Sequence, residues 1–164
     1  MKKWLIALAL SLGICCGATA AESKTVNFSF LDISNKTIHL SQYRGSWVLI
    51  NFYAPWCPLC WGEVPALNRL AAMPHIVVIG IMMDYGPGET DMQKIIDRHD
   101  MHFTDYVLGG SRRDQSGSWR QIGPVDFYPT SYLYSPRGDA IMFIPGMLKE
   151  QKILDFIATH KTEG

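Results

Sequence analysis

The sequence predicts a single α/β domain with a central mixed β-sheet flanked by helices. Residues 48–53 and 76–82 are apolar runs rich in β-branched residues, a composition typical of strands buried on both faces. Residues 57–72 between them have helical composition, and this order favours a right-handed crossover between parallel strands. Residues 148–160 place apolar side chains at helical spacing, which predicts a terminal helix against the sheet.

Residues 1–20 have the features of a leader that precedes the fold. Lys2 and Lys3 form a basic start, residues 4–14 are apolar, and residues 18–20 (Ala-Thr-Ala) resemble a cleavage site. The alternative is an uncleaved anchor, because the apolar stretch is almost long enough to span a thin bilayer. In either case we expect export to the periplasm or another extracytoplasmic compartment.

The domain proper is predicted to cover residues 21–164, a length suited to one core. Cys15 and Cys16 lie in the leader, and the residues before them fit a lipoprotein signal poorly. Only Cys57 and Cys60 then remain in the exported part. An exported protein that relied on disulfides for stability would carry more cysteines, so this pair indicates a catalyst or carrier.

The charge of the exported part is close to balanced. Removing Lys2 and Lys3 leaves 13 basic against 15 acidic residues, with no basic stripe and no block of like charges. Nucleic acid is therefore not expected as a partner.

The first elements of the domain are predicted to form an N-terminal β-hairpin. Residues 25–31 alternate apolar and polar side chains, residues 32–36 have turn composition, and residues 37–40 form a second short strand. Residues 41–45 are expected to make a short helical turn before the central strand.

The central strand leads directly into two cysteines with C-x-x-C spacing. Residues 54–56 turn the chain, and Cys57 then falls at the start of a helix, where free N–H groups and the helix dipole stabilise a thiolate. Cys60 lies one helical turn further on and can attack a mixed disulfide formed by Cys57. We also expect Cys57 to be partly exposed, as a loop residue. This layout predicts thiol–disulfide exchange.

Two structural interpretations of the C-x-x-C compete with the redox one. Zinc usually needs four ligands, and only His99 and His102 lie close together in sequence. A purely structural disulfide would constrain little, because its loop is so short. Methionines near the histidines, such as Met92 and Met101, are more typical of packing than of copper binding, so no metal site is predicted.

The remaining elements follow in an order that completes the sheet. Thr90 or Asp91 is predicted to cap a helix that ends near His99. Residues 109–123 are polar and glycine-rich and are predicted to be a loop with a helical turn at residues 118–122. Two further strands, 131–134 and 140–144, are joined by a turn of hairpin composition.

The segment around the cysteines resembles the active site of the thioredoxin superfamily. Residues 56–60 (Trp-Cys-Pro-Leu-Cys) after residues 49–54 carry the likeness, and Pro65 stands where thioredoxins have a proline in the active-site helix. Residues 40–52 and Glu63 are similar to the extracytoplasmic TlpA/ResA/CcmG (DsbE)-like branch. The resemblance implies a thioredoxin-like fold with the N-terminal hairpin typical of that branch.

The resemblance also implies roles for residues around the cysteines. Glu63 would exchange a proton with the Cys60 thiol, if burial raises its pKa towards neutrality. The alternative is an exposed first-turn acid that complements the helix dipole. Asn51 stands where thioredoxin carries a buried acid. Trp56 and Pro58 are expected, with Glu63 and Asn51, to modulate the redox pair.

A second loop is implied to meet the cysteines. Pro129 stands where thioredoxin-like proteins have a cis-proline, and the backbone of Tyr128 would pair with the client chain. Trp56, Tyr128 and Pro129 would form an apolar lip. Phe127 replaces a glycine common at this place in the family, which affects which clients fit.

The function predicted is a thiol–disulfide oxidoreductase that uses no cofactor beyond the Cys57–Cys60 disulfide. The resemblance favours a reductase, serving cytochrome c maturation or rescue of wrong disulfides, with client proteins and a membrane redox partner that recharges the pair. The alternatives are a disulfide-introducing oxidase, a copper chaperone using Cys57, Cys60 and a histidine, or a non-catalytic domain. A thiol peroxidase is disfavoured, because the threonine it needs before the cysteine is missing.

Overall fold

The computed structural model describes residues 27–160, so the predicted leader lies outside the described residues. This part of the chain contains strands β1 (Ser29–Leu31), β2 (Thr37–His39), β3 (Trp47–Tyr53), β4 (Ile76–Met83), β5 (Asp105–Gly110), β6 (Thr130–Tyr134) and β7 (Ala140–Pro145). Its helices are α1 (Pro58–Ala71), α2 (Met92–His99) and α3 (Glu150–Thr159), with 3-10 turns at Leu40–Tyr43 and Ser118–Gln121. Between residues 27 and 160, no helix has the length and apolarity needed to cross a membrane.

Strand β3 lies at the centre of a five-stranded mixed sheet with the order β5-β4-β3-β6-β7. β3 pairs in parallel with β4, and β4 with β5, whereas β6 and β7 are antiparallel. All seven β3 residues are buried, as its apolar sequence predicts. Thr130, the first residue of β6, pairs with Phe52 near the end of β3. The end of β3 and the start of β6 therefore meet at one edge of the sheet.

Each face of the sheet carries its own apolar core. On one face, Leu67 and Leu70 of α1 and Ile153 of α3 pack in the first core. On the other face, the antiparallel β1–β2 hairpin contributes Phe30 and Ile38 to the second core. Burial of one such side chain contributes about 1.5–3 kcal/mol. The predicted hairpin extension is therefore an integral part of the packing.

Local signals in the sequence set the helix ends. Pro58 is the first residue of α1, where its missing N–H costs nothing. Pro65 lies inside α1 and removes one of its hydrogen bonds. Asp91 caps α2 by accepting a hydrogen bond from the backbone N–H of Lys94 at 3.3 Å. Asp100, in the left-handed conformation with φ 51°, ends α2.

Strand β5 is absent from the sequence prediction, which treated residues 109–110 as loop. Its sequence, Asp-Tyr-Val-Leu-Gly-Gly, lacks a clear alternation. The strand forms through tertiary pairing with β4. The N-terminal region holds it from the other side, where Ile33 N–H donates to the Tyr106 carbonyl at 3.0 Å. The Tyr43 hydroxyl donates to the Asp105 carboxylate.

Helix α3 begins at Glu150, two residues later than the sequence predicts. The backbone N–H of Leu148 donates instead to the carboxylate of Glu63 at 3.1 Å. Strand β1 likewise begins at Ser29, because residues 27 and 28 lie outside it, and the predicted start at residue 25 falls outside the described residues. Apart from these shifts, the predicted α/β architecture with its mixed sheet and N-terminal hairpin is confirmed.

Candidate active site

The two cysteines lie where β3 gives way to α1. β3 ends at Tyr53, a short turn follows, and Cys57 is the N-cap residue of α1. Cys57 and Cys60 form a disulfide. The backbone N–H of Cys60 donates to Cys57 Sγ at 3.2 Å. In the reduced pair, the same N–H and the helix dipole would stabilise a Cys57 thiolate, which favours Cys57 as the nucleophile.

The expectation that Cys57 is partly exposed is wrong. Cys57 is 5% exposed and Cys60 2%, because both side chains join the first apolar core. The exposed surface belongs to the residues before each cysteine, since Trp56 is 55% exposed and Leu59 58%. A client therefore reaches a small area of Cys57 across an apolar rim.

Glu63 is a buried carboxyl group on the same helix as the cysteines. It is 2% exposed, so it is not a solvated first-turn acid. Its Oε1 accepts a hydrogen bond from Asn51 Nδ2 at 2.6 Å, and its Oε2 accepts one from Leu148 N–H at 3.1 Å. Burial raises the pKa of Glu63 from 4.5 to about 7, while the bonds from Leu148 and Asn51 lower it in part. Glu63 can therefore gain or lose a proton near neutral pH.

Asn51 is fixed beneath Glu63 by the register of the sheet. It lies on β3 opposite Ser131 of β6, and its Nδ2 also donates to Ser131 Oγ at 3.0 Å. Sequence reasoning placed Asn51 and Glu63 at the site but missed Ser131 and Leu148. Ser131 could have been found only from the β3–β6 register, and Leu148 contributes only its backbone N–H.

The second loop of the predicted site lies against the cysteine segment. The Tyr128–Pro129 peptide bond is cis, as the family resemblance implies. The rings of Trp56 and Tyr128 are 5.7 Å apart and meet edge to face. The Pro129 carbonyl accepts from Gly146 N–H at 2.9 Å, and Phe127 is an exposed apolar residue beside the loop. Trp56 and Tyr128 are thus brought together as a lip.

Asp84 joins the parts of this lip, and sequence reasoning missed it. It follows β4, and its carboxylate accepts from the Tyr128 hydroxyl at 2.9 Å and forms an ion pair with Arg112 Nε at 3.0 Å. The same carboxylate accepts from Ser111 Oγ and from the Arg112 backbone N–H. Its backbone carbonyl accepts from Trp56 Nε1 at 3.1 Å. The available signal was its position at the end of a strand parallel to β3, on the edge that carries the cysteines.

Arg112 fixes the loop before the cis-proline. Its Nη1 donates to the Asp126 carbonyl at 2.7 Å, and its guanidinium lies 5.3 Å from the Tyr128 ring centroid. Burial and the bond to Asp84 raise the pKa of Tyr128, so its hydroxyl remains a donor at neutral pH. The segment 111–112, predicted to be a solvated connection, therefore supports the site.

The two histidines that invited a metal interpretation contact other side chains. His99 stacks on Trp61, with ring centroids 3.6 Å apart, while His102 pairs with Asp100 at 3.0 Å. Burial and the charge of Arg98 lower the pKa of His99. Throughout residues 27–160, no group of three or more His, Cys, Asp or Glu side chains is arranged to hold a metal ion.

The arrangement of the two cysteines and Glu63 is suited to thiol–disulfide exchange, and comparisons with known proteins support the same chemistry. The AhpC/TSA family profile matches residues 21–136. The thiol-disulfide oxidoreductase ResA of Geobacillus kaustophilus is 27% identical over 137 residues, covering 83% of this chain and 75% of that protein. A ResA of Bacillus cereus is 30% identical over 129 residues, covering 76% of this chain and 70% of that protein.

Solved structures show the same fold. A proposed thioredoxin from Neisseria meningitidis superposes with a TM-score of 0.70 at 24% identity, covering 87% of this chain and 93% of that one. A secreted disulfide oxidoreductase of Mycobacterium tuberculosis, homologous to DsbE, gives 0.62 at 21% identity, covering 82% and 97%. The profile match over residues 21–136 shows that the chain belongs to the AhpC/TSA family, and the ResA relatives show that it is a thioredoxin-like homologue of the ResA thiol-disulfide oxidoreductases.

Proposed function

We propose that this protein is an extracytoplasmic reductase of protein disulfides, with Cys57 as nucleophile and Cys60 as resolving thiol. The observation that carries the proposal is the buried carboxyl of Glu63, with a pKa of about 7, three residues after Cys60 on α1. Residues three apart on a helix are neighbours. A group that titrates near neutrality is thus available for the proton of the resolving thiol.

The cycle balances as a two-electron exchange. The Cys57 thiolate attacks a client disulfide, the client S–S bond breaks, and the leaving client thiolate takes up a proton. The Cys60 thiol then gives its proton to ionised Glu63 and attacks Cys57 Sγ. The mixed disulfide breaks, the second client thiolate leaves and takes up a proton, and the Cys57–Cys60 disulfide remains. The client is reduced and the protein is oxidised.

One feature of the surroundings favours the reducing direction. Strong oxidants owe their potential to a stabilised reduced form. Here the ionised Glu63 carboxylate disfavours a further negative charge on Cys60 in the reduced pair. This effect opposes the stabilisation of the Cys57 thiolate by the helix start, and a reductase requires a net potential towards the thioredoxin end of the range, at about −270 mV.

The sequence and the chemistry support the proposed location and partners. The basic start, apolar run and Ala-Thr-Ala site of residues 1–20 support export. A reductase in an oxidising compartment consumes its dithiol at each turnover, so a membrane redox partner would have to restore it. Clients with misplaced disulfides, including apocytochromes c during maturation, are the proposed substrates.

The number of client thiols formed per oxidised Cys57–Cys60 pair tests this function. Reduced protein is mixed with a disulfide-bonded protein such as insulin, and client thiols are counted after removal of the catalyst. We expect two client thiols for each Cys57–Cys60 pair oxidised, and none with Cys57→Ser. Absence of client thiols with the intact pair would contradict the proposal. Transfer in the opposite direction, from the oxidised protein to a reduced client, would instead favour the oxidase.

A further inference from the structure

We propose that the cavity beside Trp56 binds an acidic side chain of the client, held by Arg113. The inference deepens the proposed function and rests on it, because it concerns how a client is chosen. The cavity has a volume of about 470 Å³ and is lined by Trp56, Asp84, Tyr85, Gly110, Ser111, Arg112 and Arg113. Its size suits one side chain with part of its backbone.

The charges that line this cavity sum to one positive charge. Asp84 carries the acid of the lining, and Arg112 neutralises it through the ion pair at 3.0 Å. Arg113 is exposed, and its side chain makes no hydrogen bond or ion pair within residues 27–160. An unpaired guanidinium, with five N–H donors in a planar fork, is suited to a carboxylate.

The carboxylate of the cavity is already paired, whereas one guanidinium is not. Oδ1 of Asp84 accepts from Ser111 Oγ and Arg112 N–H, and Oδ2 accepts from Tyr128 and forms the ion pair with Arg112 Nε. These contacts neutralise the Asp84 carboxylate. The guanidinium of Arg113 still offers its donors. A ligand that offers acceptors therefore complements this lining, and a carboxylate supplies both acceptors and the missing negative charge.

The cavity is lined by the residue that precedes Cys57 in the chain. Trp56 forms one wall and precedes Cys57 directly in the chain. Its Nε1 bond to the Asp84 carbonyl, at 3.1 Å, fixes this wall to the polar lining. A client whose cysteine is joined to Cys57 spans about 3.3–3.6 Å per extended residue. An Asp or Glu within a few residues of the attacked cysteine can thus enter the cavity while the mixed disulfide exists.

Peptides that differ in one charge test the assignment. Each peptide has one intramolecular disulfide and carries Asp, Asn or Lys at a position three residues from the attacked cysteine. The rate at which the reduced protein reduces each peptide is divided by the rate at which dithiothreitol reduces the same peptide. This ratio removes the effect of the charge on the reactivity of the peptide disulfide itself. At low salt we expect wild type to prefer Asp to Lys by about two- to five-fold, with the preference shrinking as salt rises.

Three variants separate the cavity from general charge effects. Arg113→Gln should bring the Asp-to-Lys ratio to about one, and Arg113→Glu should invert it. Lys152→Glu changes the net charge by the same amount as Arg113→Glu, at an exposed site on α3, and should keep the ratio. An equal ratio in wild type and Arg113→Gln overturns the assignment. If wild type fails to reduce even the Asn peptide, although its own Cys57–Cys60 disulfide still forms, the proposed function is overturned instead.

Discussion

The two sides of the cysteine pair are built in different ways. On one side, Glu63 is buried and fixed by Asn51 of the central strand and by the N–H of Leu148. On the other side, Trp56 and Tyr128 are loop residues whose positions depend on Asp84. The buried side handles a proton and the loop side meets the client. This separation suggests that changes on the first alter the rate and pH dependence, and changes on the second alter the choice of client.

Substitution of each cysteine in turn should have the largest effect and should separate the two steps of the reaction at the mixed disulfide. Cys57→Ser should abolish client reduction, because no nucleophile remains at the helix start. Cys60→Ser should instead stop at a covalent adduct between Cys57 and the client, visible as a mass increase that a reductant removes. An adduct that forms through Cys60 in the Cys57→Ser variant, at a comparable rate, would reverse the assigned roles.

Glu63→Gln should slow the resolving step and change its pH dependence. General acid–base catalysis contributes about 10²- to 10⁴-fold, so we expect a loss of about 100-fold at pH 8. In wild type the rate should fall as the pH decreases through about 7, because protonated Glu63 cannot accept the Cys60 proton. Stopped-flow release of thionitrobenzoate from Cys57 reports this step.

The matched control for that experiment is Glu89→Gln, since Glu89 is an exposed acid in the loop before α2. It should leave the wild-type rate and pH profile in place. A Glu63→Gln profile that still falls through pH 7 with the wild-type amplitude would remove Glu63 from the mechanism.

The stability of the oxidised protein should also report the buried acid. The pKa of Glu63 is about 7 in the folded state against 4.5 in the unfolded state. The folded state therefore retains a proton that the unfolded state releases, and this stabilisation is complete below pH 4.5 and is lost as the pH rises through 7. The shift corresponds to about 3 kcal/mol. Denaturant unfolding between pH 4.5 and 8.5 should show this fall in wild type, and Glu63→Gln should flatten it.

Asp84→Asn should produce a smaller effect, confined to the docking side. It removes the ion pair with Arg112 and weakens the bond to Tyr128, a loss of about 1–2 kcal/mol in the positioning of the lip. We expect KM for a protein client to rise about ten-fold, with little change in kcat or in the rate with a small disulfide. Asp97→Asn, at an exposed position of α2, is the control. Equal losses for protein and small disulfides would contradict the proposed division.

The sequence predicted the buried side better than the docking side for a physical reason. A C-x-x-C after an apolar strand defines a helix start locally, and family position pointed to Glu63, Asn51 and the cis bond at Pro129. Asp84 and Arg112 lie in segments without periodicity, and their contacts are 28 and 44 residues away in sequence. Strand β5 was missed for the same reason, because its pairing with β4 is tertiary. Burial of Cys57 likewise depends on packing that the turn sequence does not encode.

The equilibrium reduction potential of the Cys57–Cys60 pair tests the central claim most directly. The pair is equilibrated in glutathione or dithiothreitol buffers at pH 7 and the oxidised fraction is read by thiol alkylation and mass spectrometry. A value well below about −200 mV, towards that of thioredoxin, is the result we predict for a reductase. A value near about −120 mV, typical of strong disulfide donors, would contradict it.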